Sequence, residues 1–286
     1  MRVRFCGVRG STPASGAAYV RYGGHTSCVA VQRDDEPIRL LLDAGTGLQT
    51  VTALLDDAYA GSILLGHLHW DHTHGLPFFA AGLGPDSLVD VWLPRQDQPA
   101  ETLLGRFMSP PSFPIVPAQL GPGWSFGDLD EGEHEIEGFA VLAREIPHKG
   151  GRTFGYRVSD GDGAIAYLSD HSPTTLGPGP DGLGERHPAA LELARGADLL
   201  IHDAQHVAAE FPGVGYLGHA AAEYAVALGR AAGVGTVVLF HHGHVRTDDE
   251  IDAILAAVRC DDVRVVAAYE GLELELAAPS PAVPAG

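Results

Sequence analysis

The spacing of apolar residues changes along the chain, and these changes predict a mixture of strands and helices. Residues 2–7 alternate apolar and polar side chains, which indicates a first strand. The loop that follows is rich in Gly, Ser and Pro, and we expect it to pack against the working face of the protein. Apolar runs at 27–32 and 38–42 flank an acidic turn and predict a hairpin. The next predicted elements are a helix over about 47–58, a strand over 62–66, a helix over 73–81 and a strand over 88–93.

The second half of the chain has a run of strand patterns and then a regular alternation of helices and strands. The run of strands lies at 133–138, 140–146, 153–158 and 164–168. The alternating part comprises helices at 187–195, 219–232 and 248–258, strands at 198–202, 236–240 and 263–268, and an edge strand at 272–276. Because strands and helices occur in both halves, we expect an α/β protein with two packed sheets and helices outside.

A proline-rich segment at 109–124 interrupts this pattern and is too irregular for a helix or a strand. One interpretation is a lid or a loop on the substrate side, with Phe107, Phe113 and Trp124 as apolar walls. The other is an irregular surface crossover, and the sequence leaves both open. Residues 277–286 are rich in Pro and Ala, and we expect a disordered tail there.

Composition narrows the functions that such a fold can carry. The 286 residues include 18 Lys and Arg against 37 Asp and Glu, which gives a formal net charge of -19. This charge disfavours nucleic acid and anionic membranes as partners, but small anionic substrates remain open if metal ions supply local positive charge. The sequence has no apolar span of membrane length, residues 1–5 are charged and strand-like rather than a signal-peptide h-region, and the three cysteines are scattered. We therefore expect a cytoplasmic protein with reduced thiols.

The densest group of reactive side chains follows the apolar run at 63–65. His67, His69, Asp71 and His72 fall within six residues, in a chain with fifteen histidines. Neutral imidazole and carboxylate are the ligands of catalytic zinc-type sites, and such a site with a position open for water is hydrolytic. The spacing therefore predicts a hydrolytic metal site in a loop at the end of this strand.

Later strand ends carry residues of the same kind. Three apolar runs stop at His148, Asp170 and His241. Since loops gather at the carboxyl ends of strands in α/β proteins, we expect these residues to complete the metal site. Asp43 also follows a strand, and the sequence leaves open whether it caps a helix or supports a metal ligand.

These segments resemble the metallo-β-lactamase fold superfamily and, within it, the phosphodiesterase branch. That branch includes tRNA 3′-processing endonucleases, phosphoribosyl cyclic phosphate phosphodiesterases and cyclic nucleotide phosphodiesterases. The HxHxDH motif at 67–72 is specific to the superfamily. The further matches are His148 and residues 6–13, 21–24, 42–47, 154–157, 167–170, 202–204, 218–220 and 240–242. The resemblance covers nearly the whole chain and implies a four-layer αββα sandwich, as a single metallo-hydrolase domain over residues 1–276.

The resemblance also implies two divalent metal ions per chain, with Zn expected and Mn or Fe as alternatives. It assigns one metal to His67, His69 and His148. It assigns the other to Asp71, His72 and His241, with His242 as an alternative to His241. Asp170 would bridge the metals together with a water or hydroxide. Two cations about 3.5–4 Å apart activate such a water and stabilise both the entering and the leaving oxygen.

A leaving alkoxide also needs a proton, and His219 resembles the general acid of the phosphodiesterase branch. Asp203 would orient it, because a carboxylate fixes the tautomer and raises the imidazole pKa. The alternative is that His219 simply begins a helix. Asp71 is counted with these catalytic groups as well as with the ligands.

Four more residues lie beside the expected ligands. We expect His74 and His171 to be exposed, although both adjoin ligand positions. Lys149 and Arg152 are the nearest candidates for binding a phosphate, against the alternative of solvated loop charges.

Together these features predict a metal-dependent phosphodiesterase acting on a small cyclic nucleotide or cyclic phosphate. The alternatives are a lactonase, thioesterase or other acyl hydrolase on the same fold, and a non-catalytic binding protein. A tRNA 3′-end endonuclease is disfavoured, because the net charge repels a polyanion. The sequence leaves the physiological substrate and the oligomeric state open, with a homodimer as one option.

Overall fold

The computed structural model describes residues 1–276 and contains two large β-sheets. The expected disordered tail at 277–286 lies outside these residues. The strands of the described chain are β1 (Arg2–Gly7), β2 (Arg9–Gly10), β3 (Cys28–Gln32), β4 (Leu40–Leu42), β5 (Ala60–Leu64), β6 (Leu88–Pro94), β7 (Trp124–Leu129), β8 (Gly132–Ile136), β9 (Phe139–Ile146), β10 (Thr153–Ser159), β11 (Ala164–Leu168), β12 (Leu199–Asp203), β13 (Thr236–Phe240), β14 (His242–Gly243), β15 (Arg264–Ala267) and β16 (Glu273–Glu275).

Seven α-helices connect strands in the part of the chain that the structure describes. They are α1 (Leu48–Val51), α2 (Trp70–Thr73), α3 (Ala100–Gly105), α4 (Pro188–Ala194), α5 (Phe211–Val214), α6 (Ala222–Ala232) and α7 (Asp248–Val258). Within residues 1–276, no helix is both long enough and apolar enough to cross a bilayer.

The first sheet has the strand order β16-β1-β3-β4-β5-β6-β7. Strands β4 to β7 run parallel, and β16, β1, β3 and β4 pair antiparallel. The predicted hairpin is confirmed, since β3 and β4 pair antiparallel with Val29 opposite Leu42. This sheet carries the HxHxDH loop just after β5.

The second sheet has the strand order β15-β13-β12-β11-β10-β9-β8. Strands β8 to β11 pair antiparallel, whereas β11, β12, β13 and β15 run parallel. Strands β9, β11, β12 and β13 therefore point the same way, and the residues that follow them lie at one edge of the sheet. A short third pair joins β2 to β14.

The two sheets pack face to face, and helices cover their outer faces. A buried cluster between the sheets joins residues such as Phe5 and Leu42 of the first sheet to Tyr156 and Phe240 of the second. A second cluster packs α1 and α3 against the outside of the first sheet, and a third packs α4, α6 and α7 against the second. The predicted four-layer sandwich of two sheets is confirmed, and it is built by the alternation of side chains along each strand.

Two predicted helices of the first half are wrong in length. The helix expected over 47–58 is shorter in the structure. It consists of α1 and one further 3-10 turn, Thr52–Leu54, after which Leu55 is extended. The buried Tyr59 hydroxyl donates to the carbonyls of Arg39 and Ser62, which draws the chain onto the sheet instead.

The helix expected over 73–81 is replaced by α2, which starts earlier at Trp70, and by short 3-10 turns. The N–H of Gly75 donates to the carbonyl of Ala44. Pro77 has no N–H to continue a helix. A backbone contact to the neighbouring loop therefore outweighs the local helical pattern.

In the second half, α6 begins at Ala222 rather than at His219. The N–H of Ala220 donates to Asp203, so this stretch is held by a side chain before the helix starts. Strand β7 and helices α3 and α5 were not predicted at all. β7 is a partly exposed edge strand that begins at Trp124, the residue expected to end the irregular segment.

The aromatic contact between the sheets gives a stability prediction. Replacing Phe5 by Ala should lower the free energy of unfolding by about 3–5 kcal/mol, because a buried ring is lost and a cavity remains. The Phe5 ring is fully buried and lies 6.0 Å from the ring of Phe240. Denaturant unfolding measures the change. Leu88→Ala, at a side chain that is 61% exposed, is the control and should stay within about 0.5 kcal/mol; equal effects of the two variants would contradict this packing.

Candidate metal centre

The site lies where the carboxyl ends of strands from both sheets meet. The HxHxDH segment begins in the loop after β5 and continues into α2, with His69 as the residue that precedes the helix. His148 follows β9, Asp170 follows β11 and His241 follows β13. The structure thus brings the residues of distant strand ends to one place, as the strand-end argument expects.

One group of possible ligands comprises His67, His69, His148 and Asp170. One nitrogen or oxygen atom from each lies within 4.8 Å of those of the others. The His148 Nε2 atom lies 3.4 Å from the Oδ2 atom of Asp170 and 3.4 Å from the Nδ1 atom of His69. The ring of His67 lies 4.3 Å from the ring of His69.

A second group comprises Asp71, His72 and His241, again with one ligand atom of each within 4.8 Å. The Asp71 Oδ2 atom lies 3.0 Å from His241 Nε2 and 3.3 Å from His72 Nε2. Both imidazoles also face Asp170, whose Oδ1 atom lies 3.1 Å from His72 Nε2 and 3.2 Å from His241 Nε2. Asp170 therefore lies between the two groups and presents one oxygen to each.

Several polar atoms of these groups are buried without a hydrogen-bond partner in the described chain. They are both ring nitrogens of His67, Nε2 of His72, Nδ1 of His241 and both carboxylate oxygens of Asp170. Buried polar atoms are normally paired, and unpaired ones call for an explanation. Imidazole nitrogen and carboxylate oxygen form the donor set of zinc-type ions. These residues therefore fit the divalent ions that the resemblance implies.

His241 and His242, the two alternatives after β13, point in different directions. His241 faces Asp71 and Asp170, with its backbone in the left-handed region at φ 56°. The His242 Nε2 atom instead lies 2.9 Å from the carbonyl oxygen of Ala268. Burial lowers the pKa of His242 to about 3. The structure therefore places His241, and not His242, in the candidate metal group.

Asp43 contacts a candidate ligand and does not cap a helix, since Gly47 precedes α1. Its buried Oδ2 atom lies 2.6 Å from His72 Nδ1 and accepts the Tyr167 hydroxyl at 2.6 Å. Burial lowers the pKa of His72, but Asp71 and Asp43 raise it more, so the net pKa lies well above the usual value. Asp43 thus fixes the orientation of the His72 ring and leaves Nε2 facing the site.

His219 and Asp203 form a buried pair beside the two groups. The His219 Nδ1 atom lies 3.0 Å from Asp203 Oδ2 and 3.6 Å from Asp170 Oδ2. Burial lowers the pKa of His219, but Asp203 and Asp170 raise it more strongly, to about 9. Asp203 is itself held by backbone N–H groups, including those of His171 and Ala220. Asp170, His219 and His241 also form a third, overlapping group of possible ligand atoms.

The two histidines expected to be exposed differ in the structure. His74 is exposed and stacks on Trp70, with ring centroids 5.5 Å apart. The prediction for His171 is wrong, because this residue is fully buried. Its Nδ1 atom lies 3.0 Å from His202 Nε2, which places it behind Asp203 rather than at the surface.

The two basic residues after His148 are partly engaged elsewhere. Arg152 donates to Glu145 at 2.8 Å and also pairs with Glu131. The Lys149 Nζ atom lies 5.5 Å from the centre of the Tyr216 ring. Arg152 is therefore paired with two carboxylates, and Lys149 is the freer of the two cations.

The loop after β1 supplies contacts that the sequence did not identify by residue. The N–H of Ser11 donates to Asp71 Oδ2 at 2.6 Å. Gly10 packs so closely on His241 that an added Cβ would lie 2.3 Å from its Nδ1 atom. The signals in the sequence were the Gly-rich loop, which was expected to pack against the working face, and the family resemblance at residues 6–13. Its predicted position agrees with these contacts.

A cavity of about 360 Å³ opens over the two groups and is lined by residues that include Ser11, His69, Asp71, Asp170 and His219. Trp70 lies between this opening and a neighbouring cavity, to which both Phe107 and Phe113 contribute. Trp124, the third expected wall, contributes to neither. Its indole N–H donates to the carbonyl of Gly82 at 2.6 Å, where β7 begins.

Comparison with known proteins gives one family match that covers most of the chain. A family model described as a beta-lactamase superfamily domain matches residues 38–242. A ribonuclease Z of Lacticaseibacillus casei strain BL23 is 26% identical, in an alignment that covers 84% of this chain and 84% of that protein.

Two solved structures share the architecture. The metallo-beta-lactamase fold protein YhfI from Bacillus subtilis superposes with a TM-score of 0.71 at 18% identity, over 96% of this chain and 98% of that one. A diphosphatase from the PhnP family superposes with a TM-score of 0.66 at 18% identity, over 97% and 98% of the two chains. At these identities the two likenesses establish the fold alone.

The support that Asp43 gives to His72 can be tested. Replacing Asp43 by Asn should lower the free energy of unfolding of metal-free protein by about 1–3 kcal/mol, because an amide nitrogen cannot accept the buried donors that now reach the carboxylate. Denaturant unfolding followed by circular dichroism measures the loss. Asp56→Asn, at an exposed position after α1, is the matched control. If both variants unfold at the wild-type midpoint, Asp43 does not hold this network.

Proposed function

The chain belongs to the metallo-β-lactamase superfamily, and on that premise we propose that it is a dinuclear metal-dependent phosphodiesterase acting on a small cyclic nucleotide or cyclic phosphate. Membership confirms the predicted family and a metal-dependent hydrolase as the class of enzyme. The number of metals, their ligands and the substrate are parts of the proposal.

The proposed ligands follow the two groups of side chains. His67, His69 and His148 would hold one ion. Asp71, His72 and His241 would hold the other, and Asp170 presents one carboxylate oxygen to each group. Divalent ions bound there would supply a water that is deprotonated near neutral pH and would neutralise charge on the phosphoryl oxygens. Zn is the expected metal, with Mn and Fe as alternatives, because the donor set alone does not select among them.

The His219–Asp203 pair is the observation that carries the phosphodiester assignment. Asp203 accepts a hydrogen bond from the Nδ1–H group of His219, which leaves Nε2 as the atom able to give a proton to a leaving oxygen. His219 lines the opening over the candidate ligands, so it can reach a bound substrate. A strongly basic alkoxide needs such a donor, whereas a weakly basic leaving group does not. The pair therefore favours a poor leaving group over an activated one.

Charge favours a small substrate over a long nucleic acid. The chain has a net charge of -19, which repels an extended polyanion. The comparisons include a ribonuclease Z, so an RNA belongs in the test beside the small phosphodiesters. Cleavage of an RNA precursor is the outcome that would reverse this ranking.

Replacing His219 by Ala should leave metal content unchanged and lower kcat on an alkyl phosphodiester by about 10²–10⁴-fold, because the proton donor is lost. The same variant should lose much less on an aryl phosphodiester with an activated leaving group. Metal analysis and steady-state kinetics on both substrates make the comparison. Asp203→Asn should also lower kcat on the alkyl phosphodiester. His134→Ala, on β8, is the control. If His219→Ala turns over the alkyl substrate at the wild-type rate, His219 is not the general acid.

Removing the metals should abolish hydrolysis. Activity should return as Zn is added and reach its maximum at two ions per chain, because the reaction needs an ion in each group of ligands. The measurement is kcat/KM of chelated and reloaded protein on a cyclic nucleotide, a cyclic sugar phosphate, a lactone, a thioester and a precursor tRNA. We expect the highest values for the cyclic phosphodiesters. Higher values for the lactone or thioester would identify an acyl hydrolase, and full restoration by one ion would contradict the dinuclear site.

A further inference from the structure

A second cavity, of about 450 Å³, lies next to the opening over the candidate metal ligands. The two spaces share one wall, the side chain of Trp70, which lines both. Trp70 directly follows His69 and precedes Asp71, so the shared wall is part of the HxHxDH segment itself. The two spaces therefore adjoin at Trp70, and a molecule with its phosphate at the metal groups would reach this cavity across that side chain.

Aromatic rings form much of the surface of the cavity. Trp70 and Phe78 come from the segment after β5, and Phe107 and Phe113 come from the segment after α3. Phe78 and Phe113 meet edge to face, with ring centroids 6.0 Å apart. Trp70 is 64% exposed and Phe78 is 55% exposed, although both are large apolar side chains. Exposed aromatic groups beside a concave space are typical of a ligand site.

The polar groups of this cavity carry no negative charge. No carboxylate belongs to its lining within residues 1–276, although the whole chain has 37 acidic residues. Arg106 is the cation of the lining, and its guanidinium donates to the amide oxygen of Gln98 at 2.8 Å. Gln49 is exposed and adds an amide that can both donate and accept hydrogen bonds. The Arg106 guanidinium disfavours a cation in this cavity, and aromatic faces beside hydrogen-bonding groups suit an uncharged ring with polar edges.

We propose that this cavity binds the nucleobase of a nucleoside phosphodiester, and so selects cyclic nucleotides over cyclic phosphates without a base. The proposal rests on the proposed function, since it places the phosphate of the same substrate at the metal groups. Bases stack on aromatic side chains whatever their sequence, because each base has a π-face. Trp70 and the two phenylalanines Phe78 and Phe113 supply such faces, and Gln49 and Arg106 supply hydrogen bonds to the ring edges.

Binding to metal-loaded protein is the first test, because it does not depend on turnover. Calorimetry compares adenosine 5′-monophosphate with ribose 5-phosphate, which differ by the base. We expect the nucleotide to bind at least about tenfold more tightly, and Phe78→Ala and Phe113→Leu each to remove most of that difference. Tyr269→Ala, at an aromatic residue that is 42% exposed and outside the cavity, should leave both affinities unchanged. Equal affinities of the two probes for the wild-type protein would overturn the proposal.

Hydrolysis separates this proposal from the proposed function. The substrates are 2′,3′-cyclic AMP and the 2,3-cyclic phosphate of methyl riboside, and the readout is the ratio of their kcat/KM values. We expect a ratio of about ten or more in the wild-type protein and a fall toward one in Phe78→Ala, with the base-free substrate unaffected. A ratio of one with both substrates hydrolysed would overturn the base site and leave the phosphodiesterase standing. If neither is hydrolysed, the proposed function fails and the binding comparison alone decides on the cavity.

Discussion

The carboxylate of Asp170 is almost completely buried, and imidazole rings surround it. Nitrogen atoms of five histidines lie within 3.1–3.7 Å of its oxygens: His72, His241, His148, His219 and His67. A buried charge is costly unless it is paired or coordinates a metal, and here neither oxygen has a hydrogen-bond partner within residues 1–276. The residues that can offset this charge come from segments after different strands. The buried carboxylate is therefore stable only where the strand ends of both sheets meet.

Contacts between the sheets hold this meeting point. The Tyr156 hydroxyl, on the second sheet, donates to the carbonyl of Leu65 at 2.6 Å, at the start of the HxHxDH loop of the first sheet. The N–H of Phe154 donates to the carbonyl of Gly66 at 2.9 Å, and the Tyr167 hydroxyl donates to Asp43. Tyr156 and Tyr167 also belong to the apolar cluster between the sheets. The same side chains thus stabilise the sandwich and position the loop. The packing between the sheets therefore also sets the geometry of the site.

Much of this arrangement could be predicted from the sequence, and what could not depends on tertiary contacts. The HxHxDH segment was recognisable because its spacing is local, and His148 and Asp170 were recognisable because each ends an apolar run. The burial of His171 was not predictable, because it follows from packing behind Asp203. The length of α1 was wrong because the buried Tyr59 hydroxyl binds strand carbonyls. Local patterns identify reactive side chains well, but they do not say which surface covers them.

Crystallography with anomalous scattering at the zinc edge tests most directly whether two metal ions bind around Asp170. Metal-loaded crystals should give two strong peaks per chain. One peak should contact His67, His69 and His148, the other Asp71, His72 and His241, with Asp170 between them. A single peak, or a second peak away from these side chains, would contradict a dinuclear site built on the buried carboxylate.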